Sequence, residues 1–228
     1  MTIGGFQKIS LSDFPGVISS IIFTRGCGFR CPYCHNPELV DAQRFGPEIP
    51  WADVHRFLRS RSGRIEGVVI TGGEPTAHDD LPDILAQIRS DGFRIKLDTN
   101  GSCPSRLAAI LESHLVDFVA MDLKAPLARY SEVARVPVDT GAIVESTRLI
   151  LSSRLPHEFR TTFAKPLLSA DELLSIAETV RGCASFVVQG LRTGKLLAAE
   201  ARLVPPSDAE LQSAVAVLRA AGHNATAR

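Results

Sequence analysis

The sequence predicts an α/β fold, an incomplete (β/α)6 barrel of TIM type built on a parallel sheet. Three observations carry that expectation. The chain has 228 residues, a length that suits one large α/β domain better than two small ones. Short β-rich runs alternate with segments of helical periodicity, which implies parallel strands joined by right-handed crossovers. Polar residues collect just past the C-terminal end of run after run, the edge where barrels and open parallel sheets bind ligands.

The expected strands are Val17–Thr24, Gly67–Thr71, Phe93–Asp98, Asp117–Met121, Phe159–Phe163 and Ser185–Gln189. Six units, with no sign of a seventh and eighth, leave the barrel open. Between these runs lie segments with helical periodicity: Trp51, Val54, Phe57 and Leu58 form one apolar stripe, and Leu81, Ile84, Leu85 and Ile88 another. Two later helices start with S-x-x-E capping boxes, Ser169 to Glu172 and Ser207 to Glu210. Leu173, Ile176, Ala177 and Val180 follow the first box; Leu211, Ala214, Val215 and Leu218 follow the second, in a C-terminal helix over about 207–221. No internal sequence repeat or low-complexity linker interrupts residues 1–228, so a single domain is expected.

Composition narrows the class. Hydrophobic content of 45% supplies a sizeable core, and 25 basic residues balance 25 acidic ones. Nothing there favours nucleic acid or an anionic membrane as partner. The start, MTIGGFQKIS, lacks a basic region followed by an apolar run, and no apolar stretch approaches the length of a membrane span. Five cysteines, an odd number, argue against a secreted disulfide framework. The expected compartment is the cytoplasm.

The strand ends hold the chemistry. Gly72-Gly73-Glu74-Pro75 follows the second run, and Asp98-Thr99-Asn100-Gly101 closes the third. Met121-Asp122-Leu123-Lys124 closes the fourth, and Gln189-Gly190 the sixth. After the first run comes RGCGFRCPYCHNPEL, Arg25 to Leu39, with Cys27, Cys31 and Cys34 inside eight residues. A disulfide would leave one thiol over. Structural zinc normally takes four ligands, and His35, adjacent to Cys34, is poorly placed to turn back to the same ion. Inert packing suits one cysteine better than three flanked by Gly26, Gly28 and Pro32. Thiolates favour iron–sulfur clusters. A cubane held by three of them keeps one iron open to a ligand that is not protein. Asn36, held out of helical geometry by Pro37, reads as a structural stop to this loop.

The C-x-x-x-C-x-x-C spacing after a first strand, Tyr33 before the last cysteine and GGEP after a second strand resemble the radical S-adenosylmethionine (SAM) superfamily. SLSDFPGVISSIIFTRGCGFRCPYCHNPEL is similar to the opening of activating enzymes for glycyl-radical enzymes, above all those of anaerobic ribonucleoside-triphosphate reductase. DTNG, MDLKAP and FRTTFAKPL extend the likeness, which weakens after about residue 190. The resemblance implies a single radical SAM domain with one [4Fe–4S] cluster on Cys27, Cys31 and Cys34. It also implies SAM as cofactor, and leaves room for a monovalent cation.

Further roles follow from the same resemblance. Glu74 is placed to accept from the methionyl ammonium, while Gly72 and Gly73 let backbone approach the ligand without a Cβ. The main chain at Tyr33 resembles the adenine contact. Asp98 would hold a ribose hydroxyl or a cation, and Thr99 and Asp122 resemble cation-site positions. Arg160 and Gln189 look like further cofactor contacts, although close activases often carry histidine near Gln189. Lys124 either pairs across the site with Asp122 or Asp98 or orients an incoming backbone segment, against the plainer reading of a strand-end lysine that reaches solvent. Cys103 and Cys183 lack ligand spacing and read as packing or loop cysteines.

The implied reaction is hydrogen abstraction from a glycine Cα of a partner glycyl-radical enzyme, with a flavodoxin- or ferredoxin-type electron donor. The runner-up is a small-molecule enzyme similar to the 7-carboxy-7-deazaguanine synthases. A third reading, an electron-transfer or metal-binding module without a reaction, leaves the strand-end motifs unexplained.

Overall fold

A computed structural model describes all 228 residues. Its strands form one sheet in sequential order: β1 (Ile3–Ser10), β2 (Ser19–Thr24), β3 (Gly67–Gly72), β4 (Arg94–Thr99), β5 (Phe118–Asp122), β6 (His157–Phe163), β7 (Phe186–Gly190) and β8 (Ala225–Ala227). The pair β1–β2 is antiparallel, and every later pair is parallel. Strands added always on the same side, through right-handed crossovers, keep the helices on one face and curl the sheet toward a barrel. The two edges, β1 and β8, do not pair with each other, so the barrel stays open.

The six expected runs become β2 to β7, with ends shifted by at most two residues. Several shifts are C-terminal extensions, so Thr99 and Asp122 are the last residues of strands and not the first of loops. The sequence reading missed both edge strands. β1 (IGGFQKIS) contains two glycines and no clear alternation, and β8 has only three residues.

The helices are α1 (Pro37–Val40), α2 (Trp51–Ser60), α3 (Leu81–Ser90), α4 (Pro104–Glu112), α5 (Tyr130–Ala134), α6 (Thr140–Ser152), α7 (Ala170–Glu178) and α8 (Asp208–Ala220). Both capping boxes form. Ser169 Oγ accepts from Glu172 N at 3.3 Å while Glu172 Oε2 accepts from Ser169 N at 2.9 Å, and Ser207 and Glu210 repeat the exchange. Val54 and Leu58 of α2, and Leu81, Leu85 and Ile88 of α3, are buried against the sheet as their spacing requires. Phe57 lies partly buried beside Phe6 of β1, edge to face at 5.3 Å. Val180, expected within the α7 stripe, is buried just beyond the helix end. No helix is long and apolar enough to cross a membrane.

Candidate active site

The C-terminal ends of the parallel strands enclose a cavity of about 220 Å³. The loop after β2 contributes Cys27, Cys31, Tyr33 and Cys34; β3 and its exit contribute Gly72, Gly73 and Glu74. Asp98 and Thr99 come from β4, Asp122 and Lys124 from β5 and its exit, and Gln189 from β7. Arg160, on β6, instead lines an adjoining cavity of about 690 Å³. Thr162, Gln189 and His35 are shared by the two. The larger cavity is bounded by Ser12 and Asp13 after β1 and by Arg228 after β8, so it is the seam between the two sheet edges. Cys103 caps α4 and Cys183 is buried before β7; neither borders the first cavity.

Backbone packing brings the cysteine loop onto the exit of β3. Gly26 N donates to Leu39 O at 2.7 Å, closing the loop on itself, and Glu74 N donates to Gly26 O at 2.7 Å. A Cβ at Gly73 would lie 2.0 Å from Gly26 O, and one at Gly72, whose φ is +113°, would lie 2.4 Å from Thr24 N. Both glycines are therefore required by the protein's own backbone, before any ligand enters. Asn36 precedes α1 and accepts from Leu39 N at 2.9 Å, ending the loop.

Glu74 is 1% exposed and fully engaged within the protein. Its Oε1 accepts from Thr76 N at 3.0 Å, Thr76 Oγ1 at 2.5 Å and Thr99 Oγ1 at 2.7 Å. Its Oε2 accepts from Asn100 N at 2.6 Å. The side chain thus ties the exit of β3 to the end of β4. Burial raises its pKa, and the four neutral donors only partly offset that.

Asp98 and Asp122 are held differently. Lys96 Nζ lies 2.5 Å from Asp98 Oδ1, and Arg160 Nη1 3.1 Å from Asp98 Oδ2. Arg160 Nε lies 2.6 Å from Asp122 Oδ1, and Lys124 Nζ 3.1 Å from Asp122 Oδ2. Burial alone would raise both carboxylates, but Arg160 with Lys96 or Lys124 outweighs it and lowers each below its ordinary value. Lys124 pairs with Asp122, as one of its readings expected, and does not simply reach solvent. All four carboxylate oxygens are taken by protein cations, so these residues do not fit a further monovalent cation.

The three thiols fit an iron–sulfur cluster by the chemistry of the donor set. They line one cavity together, and no three His, Cys, Asp or Glu side chains anywhere in the chain are placed to hold a single metal ion. Burial pushes the Cys27 thiol up to about 12 and raises Cys31 and Cys34 as well. A cationic cluster would displace those protons on binding. The Tyr33 hydroxyl is buried beside the Cys31 thiol.

Sequence reasoning missed two side chains here. Asn100 Nδ2 approaches Cys27 Sγ at 3.6 Å, where Phe29 N also donates at 3.4 Å. Lys96 was read only as part of a strand. Its position two residues before Asp98 was the available signal, since alternate residues of a strand share a face.

Comparison with known proteins agrees with this geometry. Residues 21–183 match the family model of the radical SAM superfamily, and the chain belongs to that superfamily. A Methanocaldococcus jannaschii protein assigned by name to the glycyl-radical enzyme activating enzymes is 29% identical over 92% of this chain and 88% of its own length. The pyruvate formate-lyase-activating enzyme of Clostridium pasteurianum is 33% identical over 54% of this chain and 52% of its own. Among solved structures, a radical SAM methyltransferase from Sphaerobacter thermophilus superposes with a TM-score of 0.72 at 17% identity, covering 96% of this chain and 68% of that one. The superfamily implies a [4Fe–4S] cluster and SAM, and the protein is a radical SAM enzyme.

Proposed function

We propose that this enzyme activates a glycyl-radical enzyme by removing a hydrogen from a glycine Cα of that partner. The reading is carried by the cysteine-lined cavity opening onto a polar seam between the sheet edges, the place where a polypeptide segment would enter. Likeness to an activating enzyme over nearly the whole chain supports it. Reductive cleavage of SAM at the cluster supplies a 5′-deoxyadenosyl radical, the chemistry that the cofactors bring.

The chain's own residues bind and orient. Cys27, Cys31 and Cys34 would hold the cluster. Gly72, Gly73 and Glu74 keep the β3 exit against the cysteine loop, and Glu74 Oε2, which accepts one hydrogen bond against three at Oε1, is the oxygen that would accept from the ammonium of SAM. The Tyr33 main chain and Gln189 would border the nucleoside, Asp98, Asp122 and Arg160 would set the charge beside it, and Thr99 would hold Glu74 in place. Lys124 pairs with Asp122 beside the cysteine loop, where its charge partly offsets the burial that raises the thiols. Glycine suits the reaction because its Cα radical is planar and delocalised into both flanking amides. In this reading electrons come from a flavodoxin- or ferredoxin-type donor, and anaerobic ribonucleotide reductase is the first partner to try.

Incubation without oxygen with reductant, SAM and that reductase should give a glycyl-radical doublet by electron paramagnetic resonance, together with 5′-deoxyadenosine. Replacing the partner's radical glycine by alanine, or Cys27→Ala here, should remove the doublet. If deuterium reaches 5′-deoxyadenosine from a small metabolite and no partner acquires a radical, the enzyme acts on a small molecule instead.

A further inference from the structure

Lys96 is 1% exposed, and its ammonium meets Asp98 Oδ1 at 2.5 Å. The ring of Phe118 lies 5.8 Å from the same ammonium. From Lys96 the charges alternate in sign across three strands, through Asp98, Arg160 and Asp122 to Lys124, with separations of 2.5, 3.1, 2.6 and 3.1 Å. Glu158, 4% exposed and 3.7 Å from Arg160 Nη1, brings the set to three cations and three carboxylates, and Arg228 Nη2, 3.4 Å from Glu158 Oε2, adds a fourth cation at its rim. An inorganic cation added to this set would leave it with excess positive charge. It would also have to displace an ammonium or guanidinium from its oxygen, and unpairing a buried charge is costly.

We infer that Lys96, with Arg160, takes the place of a monovalent cation in this protein, making Lys96 a positioning residue for Asp98. Asp98 Oδ1 is held by Lys96, which leaves Oδ2 to fix Arg160, and Arg160 in turn fixes Asp122. Cofactor binding is then indifferent to sodium and potassium. The inference rests on the superfamily's SAM site and is independent of which partner or substrate the enzyme attacks.

The test measures SAM binding to the reconstituted protein by anaerobic calorimetry, and the melting temperature of the cofactor-free protein. Sodium, potassium and tetramethylammonium chloride are compared at equal ionic strength, the last ion being too large for a carboxylate pocket. The wild type should give the same affinity and melting temperature in all three salts. Lys96→Met should bind SAM about tenfold more weakly in tetramethylammonium, the scale of one hydrogen bond to a charged group. Sodium or potassium should restore both affinity and melting temperature. Lys96→Arg should behave as the wild type, and Lys96→Met combined with Asp98→Asn should show no response to the small ions.

A wild-type affinity or melting temperature that rises with sodium or potassium overturns the inference. So does a Lys96→Met protein that matches the wild type in tetramethylammonium, or one that is weakened and recovers with neither ion. Should Lys96→Met fail to fold, Lys96→Gln and the wild-type comparison decide by the same criteria. A melting response of the expected kind without any SAM binding would leave the charge set in place and refute the cofactor site, so the two failures are separable.

Discussion

Glu74 and Asp98 sit on adjacent strand ends, β3 and β4, and both border the same cavity. Glu74 is surrounded by hydroxyl and amide donors and carries a raised pKa. Asp98 and its neighbour Asp122 are gripped by lysine and arginine and carry lowered ones. Burial acts in the same direction on all three, so the difference comes from whether the partners carry charge. The neutral knot around Glu74 holds two strand ends together and fixes the cysteine loop through Gly26. The charged set spans β4, β5 and β6 and presents an arranged field to the cavity. One carboxylate builds the wall; the others shape the potential inside it.

The largest expected effect comes from breaking the charged set at its centre. Arg160→Met leaves Asp98 and Asp122 each short of a cation, and should cost about 3 kcal/mol in denaturant unfolding. That is the low end for a broken buried pair, because the cavity admits solvent to Asp122. A loss below that of an exposed pair would show that the alternating set contributes nothing to stability.

Glu74→Ala should cost about 1–3 kcal/mol in the cofactor-free protein, since the buried Asn100 and Thr76 N–H groups lose their acceptor. Chemical denaturation without cluster or SAM separates this from any effect on cofactor binding. A variant that melts normally but binds SAM poorly would return Glu74 to a purely ligand-facing role.

Acidity should pull the two sets apart. Asp98 and Asp122 titrate lower in the folded state than in the unfolded chain. Their stabilisation is complete above the ordinary aspartate range and is lost as pH falls through their lowered folded values. Glu74 is the reverse: its folded pKa is raised, so its contribution falls as pH rises from the ordinary glutamate range through the raised folded value. Arg160→Met should flatten the acid-side loss, and Glu74→Gln the decline on its upper side, each read from melting temperature against pH.

The smallest effect is expected outside both sets. Cys103→Ala and Cys183→Ala should keep about four irons per chain after anaerobic reconstitution, the content of one cubane. Cys27→Ala, Cys31→Ala and Cys34→Ala should each lose it. Iron loss in either of the first two variants would reassign the ligands.

Local sequence determined much of this protein. β2 to β7 were legible because short β-rich runs, bounded by turn residues, alternate with helical periodicity. α7 and α8 announced themselves by capping boxes, and Cys27, Cys31 and Cys34 by spacing within one loop. These signals act over a few residues, and the chain carries them unfolded. The tertiary structure alone decided the rest. β1 and β8 are strands because neighbours supply their hydrogen bonds, and their own residues barely favour it. Gly73 is needed because Gly26, 47 positions away, presents its carbonyl 2.0 Å from where a Cβ would stand. Whether a buried carboxylate meets hydroxyls or guanidinium groups depends on which strand is laid beside it. Asp98 precedes Arg160 by 62 residues, and only the parallel pairing of β4, β5 and β6 brings their charges within 3.1 Å.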